Sequence, residues 1–380
     1  QNFLRNLGVF EVAMTVLELE ASLGDEDDED EGSKDPREID VQENTREILR
    51  LCNIFLSWFV KHNPKNQELA FGRLDVFTDY LSGGFGASKV VSEIFRGNEK
   101  LVKQFPPKLY TQCADLLVTE MNPDILDVFE ALMWMPTHDA PNNYQVQQNI
   151  FKVLTDTNRW DSIKYLCEKP DSDEYNERKR FCQDATRNLQ ALPADGSGAE
   201  DEYAHMPNLL TYHVKLLQVL SGTAIGRVSI TEIEARLQTE YSENDLCAAL
   251  LDPDSTLDIL LPIGQFLYFA IIEVEIAVSG LGKNKLMWRF LRQCVQIFRE
   301  IIPSLEFLQT NYRDVTPDAV AARRKVLYTL TCAQIVGGFF EKYYKPDQME
   351  ETFTLEDTPT PEPGINGDAR LSPGLDSQAD

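Results

Sequence analysis

Apolar residues recur every three or four positions along almost the whole chain. Phe10, Ala13, Met14 and Leu17 form one stripe, and Gly8 separates it from a short turn around Phe3, Leu4 and Leu7. Ile48, Leu51, Cys52, Phe55 and Phe59 follow the i, i+3, i+4, i+7 spacing that puts one apolar face on a helix. The same spacing returns at Leu109, Cys113, Leu116 and Leu117, at Leu209, His213, Leu216, Leu217 and Leu220, and at Leu286, Phe290, Cys294, Ile297 and Ile301. Start signals agree with the stripes. Asn63-Pro64, Asn122-Pro123 and Thr316-Pro317 each set a capping side chain before a proline suited to a first helical turn. Ser242 with Asp245 resembles a capping box that opens Leu246–Leu251. No convincing alternating strand is present, so the pattern predicts an all-α chain.

Most predicted helices are joined by short connections, as in antiparallel pairs. Two connections are long and polar, Gly24–Asn44 and roughly Glu168–Asn208. Many helices without heptads, spread along a long chain, predict an armadillo/HEAT-like α-solenoid of stacked helical hairpins with acidic disordered loops and tail. That expectation rests on helix lengths and spacing, because the sequence shows no clean internal period. The predicted divisions are a helical domain over 1–157 with its acidic loop 24–44, a polar linker region over 158–207, further helical repeats over 208–345, and a disordered acidic, proline-rich tail over 346–380.

Charge sharpens this picture. The formal net charge is −26 over 380 residues, and much of it is concentrated in Asp25–Glu31, in Asp195–Glu202 and in the tail after Pro346. Nothing in this distribution offers a basic face, which argues against nucleic acid or an anionic membrane surface as a partner. The most apolar window, Leu257–Val278, is interrupted by Pro262, Gly264 and Gln265 and runs into Glu273 and Glu275. Carboxylates are costly inside a bilayer, so this segment is expected to be a buried helix rather than a membrane span. The chain opens at Gln1 already inside a helical pattern, without a recognisable signal peptide, and is expected to be a piece of a longer protein.

Candidate chemistry is sparse. Cys52, Cys113, Cys167, Cys182, Cys247, Cys294 and Cys332 lie far apart with no CxxC pair, which reads as buried thiols, neither a disulfide framework nor a zinc site. His62, His138, His205 and His213 do not supply an evident zinc or triad constellation, and His213, on an apolar stripe, is expected to be a hydrogen-bonded core histidine. Ser82–Lys89 is glycine-rich but does not fit GxxxxGK[ST] and follows no strand, so it reads as an inter-helix turn. With no GxSxG or HExxH, no catalytic, cofactor-binding or metal-ligating residue is assigned and the chain is expected not to be an enzyme. The acidic loop 25–38 fits an EF-hand only in part. With Asp27 first, Glu29, Glu31, Gly32 and Glu38 take positions 3, 5, 6 and 12, but Lys34 and Pro36 occupy places that calcium loops fill otherwise. A solvated acidic loop that attracts cations weakly is the simpler reading. Thr358, Thr360 and Ser372 each precede proline in the tail and are candidate phosphorylation sites.

The opening Gln1-Asn-Phe-Leu-Arg-Asn-Leu-Gly-Val-Phe-Glu-Val-Ala-Met14 closely resembles the start of the homology domain shared by ryanodine and inositol trisphosphate receptors. Lys61-His-Asn-Pro-Lys-Asn-Gln-Glu-Leu-Ala70, followed by Arg73-Leu-Asp-Val-Phe77, resembles that family's Asn-Pro, Asn-Gln and Leu-x-x-Phe run. Looser matches follow in the same order: Tyr212-His213, Thr231-Glu-Ile233, Trp288 to Val295, and Ile335-Val-Gly-Gly-Phe-Phe340. The inositol trisphosphate receptor branch fits better. The acidic insert at 25–35 and the proline-rich segment after Lys345 depart from the family pattern.

The resemblance implies a cytosolic coupling solenoid of an intracellular calcium-release channel, at the cytosolic face of the endoplasmic reticulum membrane. Its implied partners are other domains and subunits of a homotetramer. Calcium and inositol trisphosphate would act on the parent channel, with no cofactor held by these residues. A stand-alone armadillo-like interaction scaffold is the alternative.

Overall fold

The computed structural model describes residues 1–21, 36–82, 84–133, 144–170, 172–191, 205–226, 231–275, 277–314 and 316–346. Within them the chain is helical, with no strand, and it packs as a solenoid-like stack. The first third comprises α1 (Asn2–Asn6), α2 (Val9–Ala21), α3 (Pro36–Val60), α4 (Pro64–Phe71), α5 (Leu74–Asp79) and α6 (Ala87–Phe95). Next come α7 (Glu99–Val102), α8 (Pro107–Glu120), α9 (Pro123–Met133), α10 (Tyr144–Leu154), α11 (Trp160–Ile163) and α12 (Asp173–Ala191). The remainder holds α13 (Asn208–Ala224), α14 (Thr231–Glu240), α15 (Glu243–Leu251), α16 (Leu257–Phe266), α17 (Lys285–Glu300), α18 (Ile302–Asn311) and α19 (Pro317–Lys342).

The predicted caps form as chemistry requires. The Asn63 side chain accepts from Asn66 N–H, Ser242 from Asp245 N–H and Thr316 from Ala319 N–H, each satisfying an amide that the first turn leaves unpaired. Asn122 accepts from Asp124 N–H at 3.0 Å. Ser82 and Gly84–Gly86 lie in a turn into α6, with Gly84 and Gly86 both at positive φ.

Gln1–Tyr344 form one compact unit, and the short remainder from Lys345 lies almost wholly outside the described residues. Within that unit α3 packs on α6, α6 on α9, α9 on α13, α13 on α16 and α16 on α19. Roughly every third helix therefore belongs to one internal ladder, and the helices between these rungs cover it. This is the solenoid-like stacking of helices that the spacing predicts. One continuous hydrophobic core runs from Phe10 to Tyr343 along it.

Three expectations change. The inward face of α3 carries Leu49, Leu56, Phe59 and Val60, whereas Ile48 and Leu51 face outward and are about half exposed. The helix has two apolar stripes, and spacing alone selected the wrong one at its start. The polar connection 24–44 is helical from Pro36 onward. The region 158–207 is no simple linker, because α12 lies in it and buries Arg178, Cys182 and Ala185. Its sparse apolar residues hide the periodicity, since part of its buried face is charged. Asp25–Glu31 lies outside the described residues, as do positions 27–35 of the calcium loop read over Asp27–Glu38, His138, Asp195–Glu202, Thr358, Thr360 and Ser372.

The apolar segment expected to be a buried helix is a broken one. Pro262 removes one backbone donor inside α16, and a π-helical turn over Leu267–Ile272 follows before the chain leaves the helix at Glu273. No described helix is long and apolar enough to cross a membrane.

Candidate functional site

Buried polar side chains gather where the ladder passes from α9 to α13 and onward. The extended stretch Lys164–Glu168 after α11 lies along α13 and is fastened to it. Tyr212 Oη donates to the Ile163 carbonyl at 2.7 Å, and His213 Nδ1 lies 2.8 Å from the Tyr165 carbonyl. A carbonyl can only accept, so the His213 proton resides on Nδ1 and Nε2 presents a lone pair in the neutral ring. The Tyr165 ring meets the imidazole edge-on at 5.8 Å, and its hydroxyl donates to Glu177. His213 is thus a hydrogen-bonded core histidine, as its place on an apolar stripe predicts.

The same geometry brings Cys167 and Glu168 to it. The donor atoms of Cys167, Glu168 and His213 all lie within 4.8 Å of one another, and all three residues are buried. Nε2 is 2.6 Å from Glu168 Oε1, yet the pair lacks the alignment of a hydrogen bond, and neither Glu168 oxygen has a hydrogen-bond partner among the described residues. Burial pushes the Cys167 thiol well above its usual range, with the Glu168 carboxylate adding to the effect and Arg178 opposing it. Tyr241, also driven upward by burial and by the Glu168 charge, borders the cluster with its hydroxyl unpartnered.

Two further clusters act as clamps. Arg178 on α12 reaches Asp252 at 2.9 Å while stacking on the Tyr175 ring, and Tyr175 Oη donates to the same carboxylate at 2.7 Å. Burial would raise the Asp252 carboxyl, but the Tyr175 hydrogen bond and the adjacent cations hold it below the usual range. Asp258 on α16 accepts from Arg324 on α19 and sits 3.1 Å from His205 Nε2. Burial is again outweighed there, by the His205 hydrogen bond and the Arg324 charge, and the Asp258 carboxyl is lowered. Between α13 and α9, Lys215 Nζ is 2.8 Å from Asp127.

Lys215–Asp127 joins α13 to α9 and Asp258–Arg324 joins α16 to α19, while the other clusters fasten covering segments to the ladder. A groove along α8, lined by Lys108, Thr111, Gln112, Asp115, Leu116 and Thr119, is one face of one helix. Exposed apolar side chains concentrate at the two ends of the ladder: Phe3, Leu7, Val12, Ile48, Leu51 and Trp58 at one, and residues such as Ile302, Phe307, Leu327 and Leu330 at the other. Sequence reading missed Cys167, Glu168, Arg178 and Asp252. The available signal was the Tyr165-Leu-Cys167 run, too apolar for a solvated linker.

Residues 1–159 match the family model of the RIH domain, the homology domain of ryanodine and inositol trisphosphate receptors. The match includes both motifs that carried the resemblance.

Proposed function

We propose, from a chain whose first 159 residues form an RIH domain, that this is a coupling segment of the cytosolic helical array of an inositol trisphosphate receptor-like calcium-release channel. In this reading it relays a ligand-induced movement toward the pore and has no catalytic role. The observation that carries it is continuity of the core. Helix α9, inside the matched region, packs on α13 outside it, and the ladder continues to α19. A displacement entering at α3 therefore meets packed helices and buried ion pairs at successive rungs rather than a slack linker.

The apolar side chains exposed at both ends of the ladder support the same reading, because helical arrays bury such faces against the next unit. Placement at the cytosolic face of the endoplasmic reticulum and assembly as a homotetramer belong to this proposal.

The test has two parts. The transcript should encode a ligand-binding core upstream and a membrane-spanning pore module downstream; a frame containing neither overturns the channel reading in favour of a stand-alone scaffold. In the assembled channel, Asp258→Asn should leave ligand binding intact and reduce ligand-evoked calcium release, since it loosens the joint between α16 and α19. Unchanged release from a correctly assembled variant would remove the relay role.

A further inference from the structure

We propose that Cys167, Glu168 and His213 form a binding site for a divalent transition-metal ion of the zinc class. Three independent features of the geometry lead there. First, a sulfur, a nitrogen and a carboxylate lie within 4.8 Å of one another from two separate parts of the chain, all in the interior. Second, His213 is oriented as a ligand would be. Its Nδ1–H donates to the Tyr165 carbonyl, which fixes the tautomer and leaves the Nε2 lone pair available beside Glu168, the same outer support that metal-bound imidazoles ordinarily have. Third, Nε2 and Glu168 Oε1 lie 2.6 Å apart without hydrogen-bond alignment, and neither carboxylate oxygen has a hydrogen-bond partner among the described residues. A ring nitrogen and a carboxylate oxygen that close need positive charge between or beside them, a proton or a metal ion, and a buried carboxylate without hydrogen bonds is strongly disfavoured.

The donor set selects the ion. Calcium and magnesium take oxygen ligands in larger number, whereas one thiolate, one imidazole and one carboxylate suit zinc. A carboxylate binding through both oxygens would bring the donors to four, the count zinc prefers. Metal–ligand lengths of about 2.0–2.3 Å require the Nε2–Oε1 contact to open by less than about 1 Å, within reach of a side-chain rotation. Charge also balances, because the thiolate and carboxylate together neutralise a dication while Arg178 is already engaged by Asp252. Binding forms a metal–sulfur bond as the Cys167 proton passes to solvent, so uptake should weaken as pH falls. Sequence spacing gives no hint of this site, since its ligands are two adjacent residues and one distant helix position.

The experiment uses the chain stripped by a chelator and re-equilibrated with zinc ion alone against a chromophoric competitor. One zinc per chain should be retained. Cys167→Ser and His213→Gln should each weaken retention by at least about tenfold, while Cys52→Ser, at a half-buried cysteine away from the cluster, should not. Circular dichroism checks that each variant is folded. Cobalt(II) loading of the unsubstituted chain needs no variant and should produce thiolate-to-metal charge-transfer absorption. Absence of that absorption, failure to hold zinc against the competitor, or equal retention by the folded Cys167→Ser and His213→Gln variants would overturn the site and leave a proton shared between Glu168 and His213.

Discussion

At the scale of single residues, two adjacent glycines in α19 have opposite roles. A Cβ on Gly338 would come within 2.8 Å of Ile272 Cγ2, so the π-helical turn and α19 approach as closely as they do only because that side chain is missing. A Cβ on Gly337 would meet nothing within 4 Å. Gly338→Ala should therefore destabilise the fold by about 1–2 kcal/mol through overpacking, and Gly337→Ala should stabilise it by about 0.5–1 kcal/mol through helix propensity. Urea midpoints of the two variants would show the split. Asp127 supplies a pH signature. Burial raises its carboxyl to about 6, against the opposing pull of Lys215. A carboxyl raised on folding binds more protons in the folded state, so its contribution is full below its unfolded value of about 3.9 and is lost as pH rises through about 6. The side chain keeps about a fifth of its surface, 21%, which limits the size of the effect but not its sign. Asp127→Asn should flatten the fall in stability over that window, measured by denaturant titration across pH.

At the scale of elements, α3 shows what periodicity conveys and what it leaves out. Its helical character was legible, as were the caps at Asn63, Ser242 and Thr316, because local spacing and local hydrogen bonds decide them. Which of its two apolar faces turns inward is set by α2 and α6, and no local pattern contains that information. Leu56→Ala, at a fully buried position, should cost about 2–5 kcal/mol. Ile48→Gln and Leu51→Gln, on the outer face, should alter stability by no more than about 0.5 kcal/mol while improving solubility. Thermal melts and light scattering distinguish these outcomes. Helix α12 fails in the other direction. A buried arginine reads as a surface residue until Asp252, from beyond three intervening helices, is seen to pair with it. The cluster at Cys167, Glu168 and His213 was hidden for the same reason: its members meet only after α13 packs along the stretch that follows α11.

At the scale of the whole unit, the core does not stop where the RIH match stops. Ile125, Leu126, Phe129 and Leu132 of α9 are all fully buried, and α13 is the principal neighbour of that helix outside the match. A chain cut after residue 159 should expose part of this surface. It should bind an apolar dye and self-associate where residues 1–346 do neither, as seen by dye fluorescence and gel filtration. A soluble, dye-silent fragment would show that the matched region is complete on its own and that the later rungs are an addition.

The ladder is built from rungs that touch chiefly their immediate neighbours, yet the stretches of chain between rungs are unequal. Between α9 and α13 three helices intervene; between α3 and α6 there are two short ones. The entropy of closing a loop grows only with the logarithm of its length, so such stretches can gain or lose residues without moving a rung. That inequality is why the sequence shows no period although the structure has one. It also sets the frame in which divergence in this lineage is best followed: descendants should be matched rung to rung, with length changes between rungs treated as the part of the molecule free to acquire new roles.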